Sequence, residues 1–404
     1  MKDNRSLFTL IAFLLVLLTG VAYGQQHSYL EMGVNVNERP HWLKPQLLKQ
    51  SQTTWVRAFI EASHYIKGKR DLNDDYRIQS LKDVADTGHK IVLSIKWNLK
   101  EAGWHVPKPE SKQEEKWFQF AGNLLKKLDG DLSILVLVNE ITIDTPATDL
   151  QENQDGVIPF VRFQKRLLDY ISRLKPRAAD GQALSIYTGG FTRLDLKKQQ
   201  NRPVNQAMFK WINEDDRITG ADFHIHQPDY KSSSESADFI RKQIPAKPLI
   251  VTEFSLIWKW KNHLGDRIGS TQAGRAFSNR YDLDPNLTVA EYCTNVFSNP
   301  VSETEWQAFL KSQPWFEPNY LDVMGRLMEK HGVIVATYAF TINPNGVGPR
   351  KITTQSTPWF INQLLLPHMV FVKKSDRIAE NYGLFNSFVR WQKVTEDLKT
   401  SILK

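Results

Sequence analysis

Short apolar segments alternate with segments of helical periodicity along most of the chain. The apolar segments lie at residues 30–36, 53–62, 90–98, 132–139, 184–190, 220–227, 247–254 and 332–343. The segments with helical spacing lie at residues 75–87, 111–130, 158–174, 204–213, 234–243 and 320–331, with closing helices predicted at 357–366 and 382–391. Strand-length apolar runs separated by helices are typical of buried parallel strands. The pattern therefore predicts an α/β fold, a (β/α)8 barrel with its active site at the C-terminal ends of the strands.

The spacing changes after the seventh apolar segment, where about sixty residues precede the next strand-linked helix. Thr288 with Glu291, and Ser302 with Glu305, have the spacing of helix capping boxes. We therefore predict a helical insertion between strand 7 and helix 7, at about residues 258–317. An open doubly wound sheet is disfavoured, because no glycine-rich phosphate turn follows the first strand.

Two of the apolar segments end in glutamate. Residues 135–140 read LVLVNE and end at Glu140, and residues 248–255 read PLIVTEFS and contain Glu253. Side chains alternate along a strand, so Val136 and Val138 share a side with Glu140, as Leu249 and Val251 do with Glu253. If those sides face the barrel interior, both carboxylates project into its mouth. Paired carboxylates at such a mouth are what glycosidic bond cleavage requires.

The N-terminal residues predict export. A basic start, an apolar run from Leu7 to Leu18 and the sequence Ala22-Tyr23-Gly24 indicate a signal peptide at residues 1–24. Residues 25–404 then form a single catalytic domain without a membrane span, located in the periplasm or at the bacterial cell surface. The single cysteine, Cys293, allows no intramolecular disulfide and is predicted to be buried.

The net charge of +8 is spread along the chain rather than gathered in one tract. A dispersed basic balance argues against a nucleic-acid-binding surface. It permits a weak preference for an acidic polymer or an anionic envelope, but a solvated basic surface is the favoured explanation of the charge.

The strand-end residues resemble those of clan A glycoside hydrolases, in particular families 5 and 39. The resemblance rests on Asn139-Glu140 at the end of the fourth strand, Glu253 at the end of the seventh and Arg57 in the second. It implies that Glu140 is the acid/base, that Glu253 is the nucleophile, that Asn139 binds the sugar 2-hydroxyl and that Arg57 hydrogen-bonds the nucleophile. It also implies a retaining, two-step mechanism on a β-linked oligo- or polysaccharide, without a cofactor.

The chain departs from this family pattern at two places. Many members of the clan carry a histidine near the end of strand six and a tyrosine two residues later, whereas this chain has His224 and His226. The eighth strand often ends in a tryptophan below the sugar, whereas this chain has Tyr338 and Phe340. We predict that both histidines and Tyr338 bind substrate.

Tryptophans at or beyond the strand ends are candidates for sugar stacking, since sugar rings present apolar faces to aromatic rings. They are Trp97, Trp104, Trp258 and Trp260. The alternating pair Trp258 and Trp260 is the preferred one, although each tryptophan could equally pack in the core.

Two alternatives to a glycosidase are open at this stage. His224 and His226 could both reach a zinc ion, as in metal-dependent barrel hydrolases, although those enzymes carry this motif on the first strand. The barrel could also bind carbohydrate without turning it over, although both glutamates are present.

Overall fold

Residues 29–341, 351–367, 369–373 and 375–402 are described by a computed structural model of the chain. The predicted signal peptide lies outside the described residues. Within them, no helix combines the length and the apolar character that crossing a membrane requires.

Eight parallel strands form a closed barrel. They are β1 (Glu31–Asn35), β2 (Trp55–Glu61), β3 (Lys90–Lys96), β4 (Ile134–Val136), β5 (Ser185–Thr192), β6 (Gly220–His226), β7 (Leu249–Val251) and β8 (Val333–Ala339). Each strand pairs in parallel with the next, and β8 returns to β1, where Asn35 is in register with Ala339. The predicted fold class is therefore correct.

Helices cover the outside of the barrel. The α-helices are Pro45–Ser51, Ala62–Ile66, Tyr76–Asp86, Leu99–Ala102, Lys112–Lys127, Ile141–Asp144, Pro159–Leu174, Lys197–Gln200, Pro203–Glu214, Tyr230–Gln243, Ile257–Asn262, Gln272–Arg280, Val289–Ser298, Glu303–Ser312, Tyr320–Lys330 and Leu384–Ile402. Short 3₁₀ helices occupy Pro40–Trp42, Ala147–Leu150 and Trp359–Ile361, and two-residue strands lie at Phe254–Ser255, Val301–Ser302 and Val370–Phe371. The closing helix predicted at residues 357–366 is wrong, because only one 3₁₀ turn forms there.

Four helices lie between the strand Phe254–Ser255 and the helix Tyr320–Lys330. The caps expected from the sequence begin two of them. The Thr288 hydroxyl accepts a hydrogen bond from the amide of Glu291, whose carboxylate accepts from Thr288 in return. The Ser302 side chain accepts a hydrogen bond from the amide of Glu305. Local chain chemistry thus sets where these helices start.

The interior of the barrel contains its own apolar cluster, formed by Trp55, Val92, Ile134, Val136, Tyr187, Ile250 and Val335. Leu249 and Val251 belong instead to the larger cluster between the barrel and the helices. The prediction that Leu249 and Val251 point inward with Glu253 is therefore wrong for β7. The regular alternation of side chains between the two faces of β7 stops at Val251, where the strand ends. Glu253 reaches the mouth from the irregular segment that follows.

Gly190 lets the end of β5 approach the turn that carries Glu140. Its φ is +56°, and a Cβ atom added there would lie 1.5 Å from the carbonyl oxygen of Asn139. Only glycine fits a position that combines left-handed backbone with such an approach.

We predict that Gly190→Ala displaces the Asn139-Glu140 turn. Gly181 is the matched control, because its φ is +79° but a Cβ there meets no atom within 4 Å. Gly181→Ala should lower the free energy of unfolding by about 1–2 kcal/mol, the cost of the left-handed backbone alone. Gly190→Ala should lower it by more than that and should also reduce any turnover. Equal stability losses in urea denaturation of the two variants would contradict this account.

Candidate active site

Arg57 lies fully buried in β2 and contacts the end of the seventh strand segment. Its Nη1 donates a hydrogen bond to Glu253 Oε1 at 2.7 Å. The same nitrogen lies 3.2 Å from Asn35 Oδ1 and 3.1 Å from Asn37 Oδ1. Residues from β1 and from the turn after it thus share the guanidinium with Glu253.

The other two nitrogens of Arg57 face β3 and β4. Nε and Nη2 lie 3.3 and 3.2 Å from Ser94 Oγ. Nη2 also donates to Asn139 Oδ1, next to Glu140 in sequence. All three nitrogens are therefore hydrogen-bonded, as a buried cation requires.

Glu253 is held as an anion. Burial alone would raise the pKa of Glu253, but the positive charges of His224 and Arg57 and a hydrogen bond from His226 outweigh burial and lower this pKa well below its usual range. His226 Nε2 lies 3.3 Å from Glu253 Oε2, and His226 Nδ1 lies 2.7 Å from Ser255 Oγ. Each carboxylate oxygen of Glu253 thus has a partner, and an ionised carboxylate held in this way can act as a nucleophile.

His224 contacts the second glutamate. It is buried in β6, and its Nδ1 lies 3.3 Å from Glu140 Oε1. Its Nε2 lies 3.0 Å from Thr252 Oγ1 and 3.5 Å from Asp222 Oδ2. The Thr252 hydroxyl donates to Asp222 Oδ2 at 2.8 Å, so it can only accept from His224. Nε2 therefore carries a proton, and Nδ1 faces Glu140.

The charge of His224 follows from its neighbours. Burial would lower the pKa of His224, but the negative charge of Glu253 and the hydrogen bonds to Asp222 and Glu140 outweigh burial and raise this pKa to about 10. His224 is therefore a cation at neutral pH, and both of its nitrogens donate hydrogen bonds. Its burial places it behind Glu140 rather than in contact with a ligand.

Lys96 and Asp144 stand beside the mouth and were not identified from the sequence. Lys96 Nζ lies 3.5 Å from Asp144 Oδ1 and 5.0 Å from the centre of the Phe59 ring. Burial is the largest cause that raises the pKa of Asp144 to about 6, and the charge of Glu140 adds to it, while Lys96 opposes the rise. Lys96 thus adds a cation on the side of the mouth where Glu140 lies.

A cavity of about 250 Å³ opens next to Glu253. His226, Trp42 and Trp359 line it. Trp359 is 40% exposed, and its ring packs edge-on against His226 with the ring centres 5.5 Å apart. An exposed indole beside a carboxylate offers an apolar surface on which a sugar ring can stack. Sequence analysis missed Trp359 because it lies in the segment after β8, away from any strand end.

The predicted tryptophan positions differ in their surroundings. Trp258 is 38% exposed on the helix Ile257–Asn262. Trp97 and Trp260 are buried in the core, where Trp97 stacks on Trp117 and Trp260 on Phe316. Trp104 is partly buried and also packs against Trp117. Trp97 and Trp260 are therefore core residues and present no exposed ring face to a sugar.

Tyr338 is likewise buried, and its hydroxyl donates to Asn362 Oδ1 at 2.7 Å. The structure therefore places it below the cavity rather than in contact with a ligand. Its hydroxyl instead fixes Asn362, which lines the cavity.

A metal ion is poorly accommodated among these residues. His224, His226 and Glu253 each offer one potential ligand atom, and these three atoms lie within 4.8 Å of one another. However, His224 has both nitrogens engaged, and Arg57 lies 2.7 Å from the Glu253 carboxylate. A divalent cation bound there would therefore lie next to two positive charges, those of Arg57 and His224.

Comparison with solved structures finds glycoside hydrolases with similar folds. One is a family 39 glycoside hydrolase from the gut symbiont Bacteroides cellulosilyticus WH2, with 11% identity, 91% of this chain covered and a TM-score of 0.49. Another is a psychrophilic family 10 endo-β-1,4-xylanase, with 12% identity, 89% of this chain and 96% of that chain covered and a TM-score of 0.46. A third is a family 10 xylanase from Thermobacillus composti, with 14% identity, 91% of this chain and 97% of that chain covered and a TM-score of 0.44.

The chain spans 64% of the length of the family 39 protein. No family model matches the chain, and no curated protein matches its sequence. These three structures come from glycoside hydrolase families 39 and 10.

The raised pKa of His224 predicts a pH dependence of stability. Unfolded histidine loses its proton near pH 6.5, whereas folded His224 keeps its proton until about pH 10. Folding therefore takes up a proton between these values, and stability falls by up to about 1.4 kcal/mol for each pH unit across that window.

The check is urea unfolding between pH 6 and pH 10 in the wild type and in Asp222→Asn. Removing the anion beside Nε2 should bring the pKa of His224 closer to 6.5, so the decline should end at a lower pH than in the wild type. A decline that ends at the same pH in both proteins would show that His224 is not the titrating group.

Proposed function

We propose that the protein is a glycoside hydrolase that uses Glu253 as nucleophile and Glu140 as acid/base. The observation that carries this proposal is the contrast between the two carboxyl groups. Glu253 is tied to Arg57 through Oε1 at 2.7 Å and to His226 through Oε2 at 3.3 Å. Glu140 is contacted on Oε1 by His224, and no hydrogen bond from the described residues reaches its second oxygen, which can therefore face a ligand. Two carboxyl groups in different surroundings can take the two different roles.

In the first step, Glu253 attacks the anomeric carbon while Glu140 gives a proton to the leaving oxygen. The bond from the anomeric carbon to the leaving group breaks, and a glycosyl ester with Glu253 forms. In the second step, Glu140 takes a proton from water as the water attacks the anomeric carbon. The bond from that carbon to Glu253 breaks, which releases the free sugar and returns Glu253 to its ionised form. His224 holds the Oε1 of Glu140 in both steps, so the same carboxyl group can donate and accept at one place.

The cavity beside Glu253 supports a sugar-binding role. Trp359 and the partly buried Trp42 line this cavity, and Trp258 is a further exposed indole on the segment after β7. We propose a β-linked oligo- or polysaccharide as the substrate and a retaining outcome. Export to the periplasm or the cell surface forms part of the proposal, on the strength of the predicted signal peptide.

Replacement of Glu253 tests the nucleophile. Glu253→Ala should lower the kcat of hydrolysis of an activated aryl β-glycoside at least ~10³-fold, because the glycosyl ester no longer forms. Added sodium azide should restore part of the turnover and give the glycosyl azide of inverted configuration. The matched control is Glu152→Ala, which removes an exposed carboxylate on the surface. Full activity of Glu253→Ala would refute the assignment.

Replacement of Glu140 tests the acid/base by leaving-group dependence. With dinitrophenyl glycosides, whose leaving groups need no proton, Glu140→Ala should retain most of the rate of the first step. With methylumbelliferyl glycosides, the rate of the first step should fall at least ~10²-fold. Azide should give a product of retained configuration. Equal losses on both substrates would contradict an acid/base role.

A barrel that binds glycans without turnover would show no product with the wild type.

A further inference from the structure

A groove on the protein surface lies outside the barrel mouth. It has a volume of about 940 Å³ and runs between residues 68–73 and the helix Lys112–Lys127. The basic residues that line it are Lys69, Arg70, Lys116, Lys126 and Lys127, and its acidic lining residue is Asp71. These cations come from two separate segments of the sequence, which the fold brings together.

Most of this positive charge is not neutralised by the protein. Within the described parts of the chain, none of the four lysines of the groove forms an ion pair, and Arg70 lies 3.8 Å from Glu61. The Asp71 carboxylate accepts hydrogen bonds from the backbone and side chain of Asn73 and is held in that turn. Like charges in one groove repel each other, so a bound polyanion would relieve their repulsion.

Polar residues extend along the groove at helical spacing. Lys116, Gln119, Asn123 and Lys127 follow one another at intervals of three or four residues, so they share one face of the helix. Eleven residues of helix correspond to about 16 Å. The groove therefore presents amide groups between terminal ammonium groups over an extended length, which suits a chain that carries both hydroxyl and acidic groups.

We propose that this groove binds a segment of an acidic polysaccharide, separately from the barrel mouth. Ammonium and guanidinium groups would pair with the carboxylate or sulfate groups of the polymer, and the amides of Gln119 and Asn123 would hydrogen-bond its hydroxyl groups. The site depends on surface charge and shape, so it is independent of the chemistry proposed for Glu140 and Glu253.

Two other polyanionic partners fit less well. Single-stranded nucleic acid needs exposed aromatic rings for base stacking, whereas Tyr65 and Phe120 in this groove are buried and stack on each other with ring centres 5.5 Å apart. An anionic membrane is flat, whereas these cations line a concave groove.

The test uses a fluorescently labelled polygalacturonate oligomer of about ten residues, with binding followed by anisotropy at 50 mM and 300 mM NaCl. Wild-type protein should bind the oligomer and lose most of the affinity at the higher salt concentration. Lys116→Glu/Lys127→Glu should raise the Kd at least ~10-fold. A neutral dextran oligomer should not compete.

The matched control is Lys198→Glu/Lys242→Glu. It changes the net charge by the same amount on exposed lysines that follow β5 and β6, and both Lys127 and Lys242 lie in the last turn of a helix. Its Kd should stay within about twofold of the wild-type value. Thermal melts of both double variants check that each is folded.

Three outcomes would overturn the proposal: no binding of the oligomer, an equal loss of affinity in both double variants, or tighter binding of a 12-nucleotide DNA strand or of phosphatidylglycerol vesicles. Aryl glycoside hydrolysis by the two variants should equal that of the wild type. Absence of that activity in all three proteins would count against the proposed function alone.

Discussion

The buried guanidinium of Arg57 is the interaction on which the barrel mouth depends. Its partners come from the ends of four different strand segments: Asn35 in β1, Ser94 in β3, Asn139 after β4 and Glu253 after β7. A buried cation without an anion would cost several kcal/mol, so folding of this region requires Glu253 to be ionised. The same contacts that satisfy the cation therefore fix the relative positions of the two glutamate-bearing turns.

Charges of opposite sign alternate through the site. Arg57 faces Glu253, the negative charge of Glu253 acts on His224, and His224 contacts Asp222. Protonation of Glu253 would leave Arg57 without its carboxylate partner, and it would also remove the negative charge that most favours the cationic form of His224. Each ionised form is thus stabilised by its neighbours, which explains why the pKa of Glu253 is lowered and that of His224 is raised although both are buried.

The barrel could be predicted from the sequence because short apolar runs alternate with segments of helical spacing. The two glutamates could be singled out because a carboxylate at the end of an apolar run departs from the pattern around it. Asp222 and Ser94 were missed because each lies inside an apolar run, where period-2 alternation cannot show which face is the barrel interior. Trp97 and Trp260 were predicted to stack on sugar because both follow strands, and only tertiary packing decides that they are buried. Trp359 reaches the cavity through a segment whose path is set by long-range contacts.

β4 and β7 both end before the polar residues that they bring to the site, and this sets where those side chains point. Neighbouring residues on a regular strand point to opposite faces, yet Asn139 contacts Arg57 while Glu140 contacts His224, and Thr252 contacts His224 while Glu253 contacts Arg57. Two consecutive side chains can face the same mouth only where the backbone leaves the strand. β4 ends at Val136 and β7 at Val251, and Gly190 allows the chain to pass close to the first of these turns. The irregular backbone is therefore what brings four polar groups from two strands to one place.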